Sequence, residues 1–197
     1  MYPLFETVKV LHGEAFELQY HQRRIEYSFA VYYKKEPFFQ LKDILSIPKK
    51  FSNGLFKLRF LYSDNAYQIE FSRYEPRMID SLKIVESNYI NYPLKLTDRA
   101  QITLLLQQKG EQQDILIVKN KLITDTSIAN ILFYDGSNWV TPSSPLLKGT
   151  CREKLLENGK IKEAVIRLDD LHKFESFSLI NAMLCGELAP IPIERII

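Results

Sequence analysis

Residues 121–152 decide the fold, and their sequence is KLITDTSIANILFYDGSNWVTPSSPLLKGTCR. The start of this stretch predicts a strand that runs into a polar turn of residues 124–127, which contains the carboxylate of Asp125. Further on, the apolar runs 131–134 and 139–141 flank Asp135-Gly136. Asp-Gly between two apolar runs is a strong signal for a β-hairpin, because these residues tolerate the backbone of the turn. The stretch therefore predicts a strand, a polar turn and a hairpin.

A helix is expected after Gly149, with its regular part beginning at Glu153. The first turn of a helix has backbone N–H groups without intrahelical acceptors, and such an N-terminus suits a phosphate. The same residues have a purely structural interpretation, since Thr150 and Glu153 fit a capping box in which the threonine hydroxyl serves its own helix. Asp125 likewise fits an Asx turn that bonds its own backbone. Spacing alone does not make these features a cofactor site.

Length and composition describe an ordinary globular protein. A chain of 197 residues, 46% hydrophobic and 25% charged, is long enough for one ordinary domain or two small ones. A net charge of +2 is too small to indicate nucleic-acid binding. No apolar run reaches the ~18 residues of a membrane helix, and the first residues lack the layout of a signal peptide. Cys151 and Cys185 have no metal-ligand spacing, so we expect a reduced cytoplasmic protein without a metal.

The first part of the chain predicts an α+β domain with a mostly antiparallel sheet. A helix is predicted over residues 21–33, because Ile25, Phe29 and Tyr32 repeat at roughly helical spacing. A shorter helix is predicted to end before Pro48 and to cover residues 41–47. The predicted strands cover residues 4–10, 14–18, 55–62, 66–73 and 82–85.

A domain boundary is predicted in residues 87–94, SNYINYPL, which have the composition of a linker. It divides the chain into a smaller N-terminal α+β domain, residues 1–88, and a C-terminal domain, residues 89–197. Lys95 follows the linker directly, and by itself it is an ordinary surface lysine. Thr97 by itself is a cap for the helix that is expected to run to residue 108. The remaining predictions are strands over residues 114–118, 162–168 and 177–183 and a short helix over residues 169–174.

Several of these segments together resemble the signature of the class IV aminotransferases, the pyridoxal-phosphate enzymes of fold type IV. That family has an acidic residue, four variable residues, an asparagine before apolar residues, a later Thr-Pro and a glycine before a phosphate-binding helix. The resemblance implies a two-domain, D-amino-acid aminotransferase-like α+β fold, shortened at the N-terminus because relatives carry an Asp- and Gly-rich segment there. The matching residues are Asp125, Asn130, Thr141-Pro142, Gly149, Phe5-Glu6-Thr7, His21-x-x-Arg24-Ile25, Lys95-x-x-Asp98-Arg99 and Asn181-Ala182.

The resemblance also implies roles for the residues that react or carry charge. Lys95 would form the Schiff base with pyridoxal 5′-phosphate and move protons once it is displaced. Asp125 stands where the family usually has glutamate, and it would keep the ring nitrogen of the cofactor protonated. Arg24, and not Arg23, would bind the phosphate, since a guanidinium fork suits a phosphate bidentately. Outside the family frame, Arg24 is half of a solvated basic pair.

Three more residues complete the implied cofactor site. The backbone N–H groups of Thr150 and Cys151 would donate to the phosphate, because they lie at the start of the helix after Gly149. Leu147 would pack on the ring of the cofactor. A lone leucine before a helix is otherwise an ordinary core residue.

The substrate is indicated only by the residues after the lysine. Lys95-x-x-Asp98-Arg99 is close to the Lys-x-x-Asn-Arg of the family's lyases, and Ala100 stands where branched-chain aminotransferases place a tyrosine. The resemblance thus implies elimination of pyruvate from 4-amino-4-deoxychorismate, which leaves 4-aminobenzoate for folate biosynthesis. An aminotransferase of branched-chain or D-amino-acid type and a non-catalytic relic of the family are the alternatives. A homodimer that acts on a small molecule is implied in either catalytic case.

Overall fold

The computed structural model describes residues 1–186 and 188–197. The chain forms two compact units, Met1–Pro76 with Leu94–Asp98, and Arg77–Pro93 with Arg99–Ile197. The division into residues 1–88 and 89–197 stays a prediction; the contacts place residues 77–88 with the second unit and residues 94–98 with the first. Within the described residues, no helix is both long and apolar enough to cross a membrane.

The first unit contains a four-stranded antiparallel sheet with the order β2-β1-β3-β4. Alternate residues of β1 and β3 point to one face, as the period of two in a strand requires. That face forms the core of the unit and includes Leu4, Val8, Leu58 and Phe60, all without solvent exposure. The strands are β1 (Leu4–Leu11), β2 (Glu14–Ala15), β3 (Leu55–Tyr62) and β4 (Tyr67–Arg73).

A helix packs its apolar side against the core of the first unit. α1 (Leu18–Ser28) begins three residues before the predicted start, and it continues as a π-helical segment, Phe29–Tyr33. Ile25 and Phe29 are fully buried, as the helical spacing predicts, but Tyr32, the third residue of that pattern, is exposed. α2 (Leu41–Ile44) is three residues shorter than predicted, and a 3-10 turn, Lys49–Phe51, follows it.

The second unit contains an eight-stranded mixed sheet among its described residues. Six strands have the order β10-β9-β8-β7-β6-β5, β11 pairs with β8, and β12 pairs with β11. The β5–β6 and β9–β10 pairs are parallel and the others are antiparallel. The strands are β5 (Leu82–Glu86), β6 (Asp114–Lys119), β7 (Leu122–Thr126), β8 (Asn130–Tyr134), β9 (Trp139–Pro142), β10 (Lys162–Ala164), β11 (Ser176–Ile180) and β12 (Ile191–Pro192).

The hairpin predicted at Asp135-Gly136 is confirmed, because Phe133 pairs with Val140 and Tyr134 with Trp139. Asp135 holds its turn by accepting hydrogen bonds from the backbone N–H groups of residues 137 and 138 at 2.9 and 2.7 Å. Two other predicted strands are too long, since β10 covers only Lys162–Ala164 and β11 ends at Ile180.

The helices of the second unit are short. α3 (Ala100–Leu106) continues as a 3-10 turn, Gln107–Lys109, and α4 (Thr150–Glu157) follows the loop after β9. Further 3-10 segments cover Leu168–Lys173 and Ile193–Arg195. Helices and mixed or antiparallel sheets in each unit confirm the predicted α+β class.

Candidate functional site

The segment of residues 94–98 holds Lys95 against the start of β1. The backbone N–H of Phe5 donates to the carbonyl of Lys95 at 3.1 Å, and Leu4 forms an antiparallel bridge with Leu96. Thr97 continues this edge, with its N–H on the Pro3 carbonyl at 2.8 Å. The ammonium of Lys95 lies 4.8 Å from the centre of the Phe5 ring, a distance at which a cation and an aromatic face attract. Lys95 is therefore a positioned amine and not a free surface lysine.

Thr97 does not cap the following helix, as the structural interpretation predicted. Its hydroxyl donates to the Tyr2 carbonyl at 2.9 Å, and the residue before α3 is Arg99. The threonine instead fixes the segment that carries Lys95 to the first residues of the chain.

Arg24 lies in a buried network with Glu6 and His21. The Arg24 Nε–H donates to Glu6 Oε1 at 2.8 Å, and its Nη2 donates to Oε2, so the pair is bidentate. His21 Nδ1 lies 2.6 Å from the same Oε2. The Glu6 side chain is fully buried and the Arg24 side chain is 9% exposed, whereas Arg23 is exposed and lies over the Tyr20 ring. The two arginines therefore differ in their surroundings, and Arg24 binds a carboxylate of its own chain. Its binding of a phosphate stays a prediction.

The charges of this network follow from its burial. Burial alone would raise the pKa of Glu6, but the Arg24 charge and the hydrogen bonds from Arg24 and His21 outweigh it and lower that pKa to about 2. Burial lowers the pKa of His21, and the hydrogen bond to Glu6 opposes that shift, while the nearby Lys95 charge adds to it. His21 is therefore neutral near pH 7, with Nδ1–H donating to Glu6. Its Nε2 is buried and has no hydrogen-bond partner in the described part of the chain.

Glu6→Gln should destabilise the protein most at neutral pH. Since the folded pKa of Glu6 lies below its ordinary 4.5, its ionised form stabilises the fold above about pH 4.5, and that stabilisation is lost as pH falls towards 2. A shift of this size corresponds to roughly 3 kcal/mol. Urea unfolding at pH 7 and pH 3 should show a wild-type advantage that shrinks at pH 3, with exposed Glu14→Gln as the control. An advantage of equal size at both pH values would contradict the ionised network.

We expect Arg24→Ala to weaken cofactor retention about tenfold, and Arg23→Ala to leave it nearly unchanged. A charge-assisted hydrogen bond contributes about 1.5–3 kcal/mol, and the lower end applies because two of the Arg24 donors already serve Glu6. The measurement is the dissociation constant of pyridoxal 5′-phosphate for each variant. Arg24→Lys keeps a charge beside Glu6 without the fork and should give an intermediate value. Equal constants for the two alanine variants would favour the solvated-pair interpretation.

Asp125 is the second-last residue of strand β7, and its carboxylate joins two segments that are distant in sequence. Its Oδ1 accepts from Asn130 Nδ2 at 2.7 Å, and its Oδ2 accepts from the backbone N–H of Leu147 at 2.9 Å. Asn130 Nδ2 also donates to the Leu147 carbonyl at 2.9 Å. The Asx-turn interpretation is therefore wrong, because Asp125 bonds the loop before α4 and not its own turn. The polar turn itself begins after Thr126.

The close approach of the loop before α4 to Asn130 requires glycine at position 149. A Cβ on this residue would lie 2.0 Å from Asn130 Oδ1, a distance that real side chains do not tolerate. Glycine therefore lets the loop before α4 approach Asn130, and that contact fixes where the helix begins. The carboxylate and the helix N-terminus, which the sequence gives as separate features, are one hydrogen-bonded assembly.

The carboxyl of Asp125 is buried, and burial raises its pKa to about 6. The hydrogen bonds from Leu147 and Asn130 and the charge of Arg152 oppose that shift. A carboxyl poised near neutral pH keeps its charge most easily when a cation or a strong donor faces it.

Helix α4 presents its first turn at Thr150 and Cys151, both buried. The capping box predicted for Thr150 is wrong, since the capping residue is Gly149 and no side chain caps the helix. The expectation of two reduced cysteines is also wrong, because Cys151 and Cys185 form a disulfide with Cα atoms 5.4 Å apart. The N–H groups of the first turn have no acceptor within the helix and can donate to an anion.

Other residues of the quoted motif have structural roles. Arg99 donates to the Ser127 carbonyl and so ties the start of α3 to the loop after β7. Arg152 is buried and donates to the Pro142 carbonyl at 2.9 Å and to Glu163 at 2.5 Å. The Thr141 hydroxyl donates to the Ile131 carbonyl at 3.0 Å. These bonds explain why Thr-Pro, glycine and arginine occur together around α4.

Sequence reasoning missed Glu6 and Asn130 as members of the site. Both belong to the motifs quoted from the sequence. The signal for Glu6 was its position on a buried strand among the apolar residues Leu4, Phe5 and Val8. A buried carboxylate needs partners, so the basic start of α1 could have been matched to it. The Ser127 hydroxyl is another buried group, and it has no hydrogen-bond partner among residues 1–186 and 188–197.

Each unit carries some of the groups that a phosphorylated, amine-reactive cofactor with a basic ring nitrogen needs. The first unit supplies the Lys95 amine and the buried guanidinium of Arg24. The second supplies the Asp125 carboxylate and the first turn of α4, which Gly149 brings against Asn130. Leu147 contributes its backbone to Asp125, and its side chain is half-buried. These residues fit pyridoxal 5′-phosphate in chemical type.

Comparison with known proteins gives one family. A family model described as amino-transferase class IV matches residues 3–191. An uncharacterised protein of Haemophilus influenzae is 39% identical over 185 residues, 93% of this chain and 98% of its own. A solved structure from Haemophilus somnus, provisionally named a 4-amino-4-deoxychorismate lyase, is 37% identical with a TM-score of 0.88, covering 93% of this chain and 97% of its own. A hypothetical aminotransferase of Mycobacterium tuberculosis, solved with pyridoxal phosphate bound, has a TM-score of 0.78 at 17% identity, covering 96% of this chain and 80% of its own.

Proposed function

We propose, from the premise that this chain belongs to the class IV aminotransferase family, that it is a 4-amino-4-deoxychorismate lyase. The reaction would eliminate pyruvate from the substrate and leave 4-aminobenzoate, a precursor in folate biosynthesis. The observation that carries the proposal is the likeness to the Haemophilus somnus structure, which bears that provisional name, over nearly the whole of both chains. Ala100 after the Lys95-x-x-Asp98-Arg99 motif supports the lyase over a branched-chain aminotransferase.

Pyridoxal 5′-phosphate is the cofactor that this family uses, and we expect Lys95, Arg24 and Asp125 to be among the residues that hold it. When bound, it withdraws electrons from the carbon that bears the substrate amine. Arg24 would bind its phosphate through the guanidinium, and the N–H groups of Thr150 and Cys151 would donate to the same group. Asp125 would face the ring nitrogen and hold a proton on it. Leu147 would cover the ring with its side chain.

Lys95 would carry the proton transfers. Its Nζ would hold the cofactor covalently at rest, and the substrate amine would displace it. Freed Nζ would take the proton from the amine-bearing carbon and later give a proton to the departing enolpyruvyl group. The Phe5 ring, whose centre lies 4.8 Å from Lys95 Nζ, would help to position this amine. Aromatisation of the remaining ring makes the elimination favourable.

Product analysis tests the proposal. Purified protein is incubated with 4-amino-4-deoxychorismate and, separately, with an amino acid and 2-oxoglutarate. Formation of 4-aminobenzoate and pyruvate in the first mixture is the expected result. A new amino acid and keto acid in the second mixture, without 4-aminobenzoate in the first, would establish the aminotransferase alternative instead. No turnover in either mixture by protein that retains cofactor would favour a non-catalytic relic.

The proposal includes a homodimer, as the family resemblance implies, and a cytoplasmic location, as the sequence predicts. Light scattering coupled to size-exclusion chromatography should give a mass twice that of the chain. A monomer that turns over the substrate would remove the dimer from the proposal while leaving the reaction in place.

A further inference from the structure

The disulfide between Cys151 and Cys185 joins the first turn of α4 to the segment after β11. Cys151 is the second residue of the helix, so its backbone N–H is one of the groups without an acceptor inside the helix. Cys185 lies 34 residues further along the chain, and the sequence contains no other cysteine. The single disulfide that this chain can form within itself is thus attached to the turn that is proposed to hold the cofactor phosphate.

The segment that carries Cys185 is a turn closed by its own hydrogen bonds. Asn181 Oδ1 accepts from the backbone N–H groups of Met183 and Leu184 at 2.9 and 3.1 Å. The N–H of Leu184 also donates to the Asn181 carbonyl at 3.1 Å. Met183 is buried and anchors the turn in the unit. The turn therefore gives Cys151 a fixed point of attachment, and the disulfide transmits that position to the start of α4.

Two other contacts hold the start of α4, and they lie on either side of Cys151. Gly149 approaches Asn130 closely, and Arg152 donates to a backbone carbonyl and a carboxylate outside the helix. Neither contact is made by Cys151 itself. Its buried side chain lies in an apolar cluster with Leu132, Leu155, Ile161 and Ile180. Breaking the disulfide would therefore leave the helix in place and loosen its first turn at a residue whose N–H is proposed to bind the phosphate.

The two sulfurs differ in their accessibility. Cys151 is 3% exposed, whereas Cys185 is partly exposed. Exchange of a disulfide begins with the attack of a thiolate on one sulfur, so access decides which sulfur is attacked. Cys185 is the sulfur that an external thiolate can reach. Cys151 is then the leaving group, and it departs at the positive end of the α4 dipole, which stabilises a thiolate.

We propose that this disulfide is an exchange site for a dithiol, and that its reduction weakens the hold of α4 on the cofactor phosphate. This inference rests on the proposed phosphate site and adds its regulation. Disulfides of proteins in reducing compartments are mostly transient or redox-sensing, which agrees with the proposed cytoplasmic location.

The exchange has two steps. A thiolate of the dithiol attacks Sγ of Cys185, the bond between Cys185 and Cys151 breaks, and Cys151 leaves as a thiolate that takes up a proton. The second thiolate of the dithiol then attacks the dithiol sulfur held by Cys185. This closes the oxidised dithiol, and Cys185 leaves and is protonated in turn. Two electrons and two protons pass from the dithiol to the protein, and a disulfide reagent reverses the change.

Reduction should weaken the binding of pyridoxal 5′-phosphate about tenfold and leave the binding of pyridoxal, which lacks the phosphate, unchanged. The factor is that expected for the loss of one charge-assisted hydrogen bond at the low end of its range. Full-length protein freed of cofactor is reduced with dithiothreitol, separated from the reagent without air, and titrated with each compound. The reagent is removed because free thiols react with the aldehyde of both compounds.

Cys185→Ser is the matched control, because it cannot form the disulfide but keeps the backbone N–H of Cys151. It should have the dissociation constant of the reduced wild type, and treatment with dithiothreitol should not change it. Reoxidation of the wild type with glutathione disulfide should restore the original constant. Thiol counting on the folded wild type should rise from zero to two per chain on reduction.

Three results would overturn the proposal. Two free thiols with an unchanged dissociation constant would make the disulfide purely structural, and equal weakening for pyridoxal and its phosphate would place the effect elsewhere. Thiols that appear only after unfolding would remove the exchange site. Product analysis of the oxidised protein tests the lyase reaction separately, so a protein that forms no 4-aminobenzoate but loses cofactor affinity on reduction would refute the reaction and leave the exchange site standing.

Discussion

Lys95→Ala protein should purify without the visible absorbance of covalently held cofactor, and its turnover should fall by roughly 10⁴-fold or more. The loss is large because one amine both holds the cofactor and moves the substrate proton. Borohydride reduction followed by peptide mapping should find the cofactor on residue 95 of the wild type and on no residue of the variant. Phosphate binding through Arg24 does not need the amine, so the variant should still take up cofactor noncovalently.

Lys57→Ala is the matched control, since Lys57 is a half-buried lysine of the same unit. It should retain both the absorbance and the reduced adduct at residue 95. An adduct on any other lysine of the wild type would sink the assignment of Lys95, whatever the variant's turnover.

Asp125→Asn should lower turnover by about 100-fold and change cofactor affinity much less. The asparagine has nearly the same size, but it lacks the negative charge that raises the pKa of the ring nitrogen. A charge partner at a buried site shifts that pKa by about two units, and each unit corresponds to about 1.4 kcal/mol. The phosphate donors lie elsewhere, at Arg24 and the start of α4, so retention of the cofactor should survive.

Two further variants separate charge from architecture. Asp125→Glu keeps the charge, restores the residue usual in the family, and should retain more turnover than Asp125→Asn. Asp135→Asn makes the same chemical change in an exposed turn and should be close to wild type. An amide has only one acceptor oxygen, so Asp125→Asn must also lose a bond to Leu147 or Asn130, and its melting temperature reports that loss. Undiminished turnover of Asp125→Asn would remove Asp125 from the catalytic residues.

The elements that depend on local sequence were predictable. Asp135-Gly136 specifies its hairpin through the backbone that these two residues favour, and the Ile25 and Phe29 spacing specifies the buried side of α1. The choice of Arg24 over Arg23 came from the family resemblance alone, because no local pattern separates the two arginines. Boundaries were less accurate: β10 is only three residues long and ends at Ala164, although apolar residues continue after it.

The contacts that build the site join residues distant in sequence, and no local pattern reports them. Asp125 reaches Leu147, Glu6 reaches Arg24, and Cys151 reaches Cys185. Thr150 and Glu153 have the right types for a capping box, but Asn130 and Gly149 decide the start of α4 through a tertiary contact.

The path of the chain prevents a single cut from separating the two units. Because residues 94–98 return to the first unit after residues 77–93 have entered the second, neither unit is a continuous fragment of sequence. A fragment that stops at Pro76 would lack Leu96, the bridge partner of Leu4, and would lack Lys95 as well. A protease cut in residues 77–93 would leave Lys95 attached to the second unit by chain and to the first by hydrogen bonds. Truncation and domain-exchange experiments must therefore move both stretches, or the first unit loses Lys95 together with the edge of its sheet.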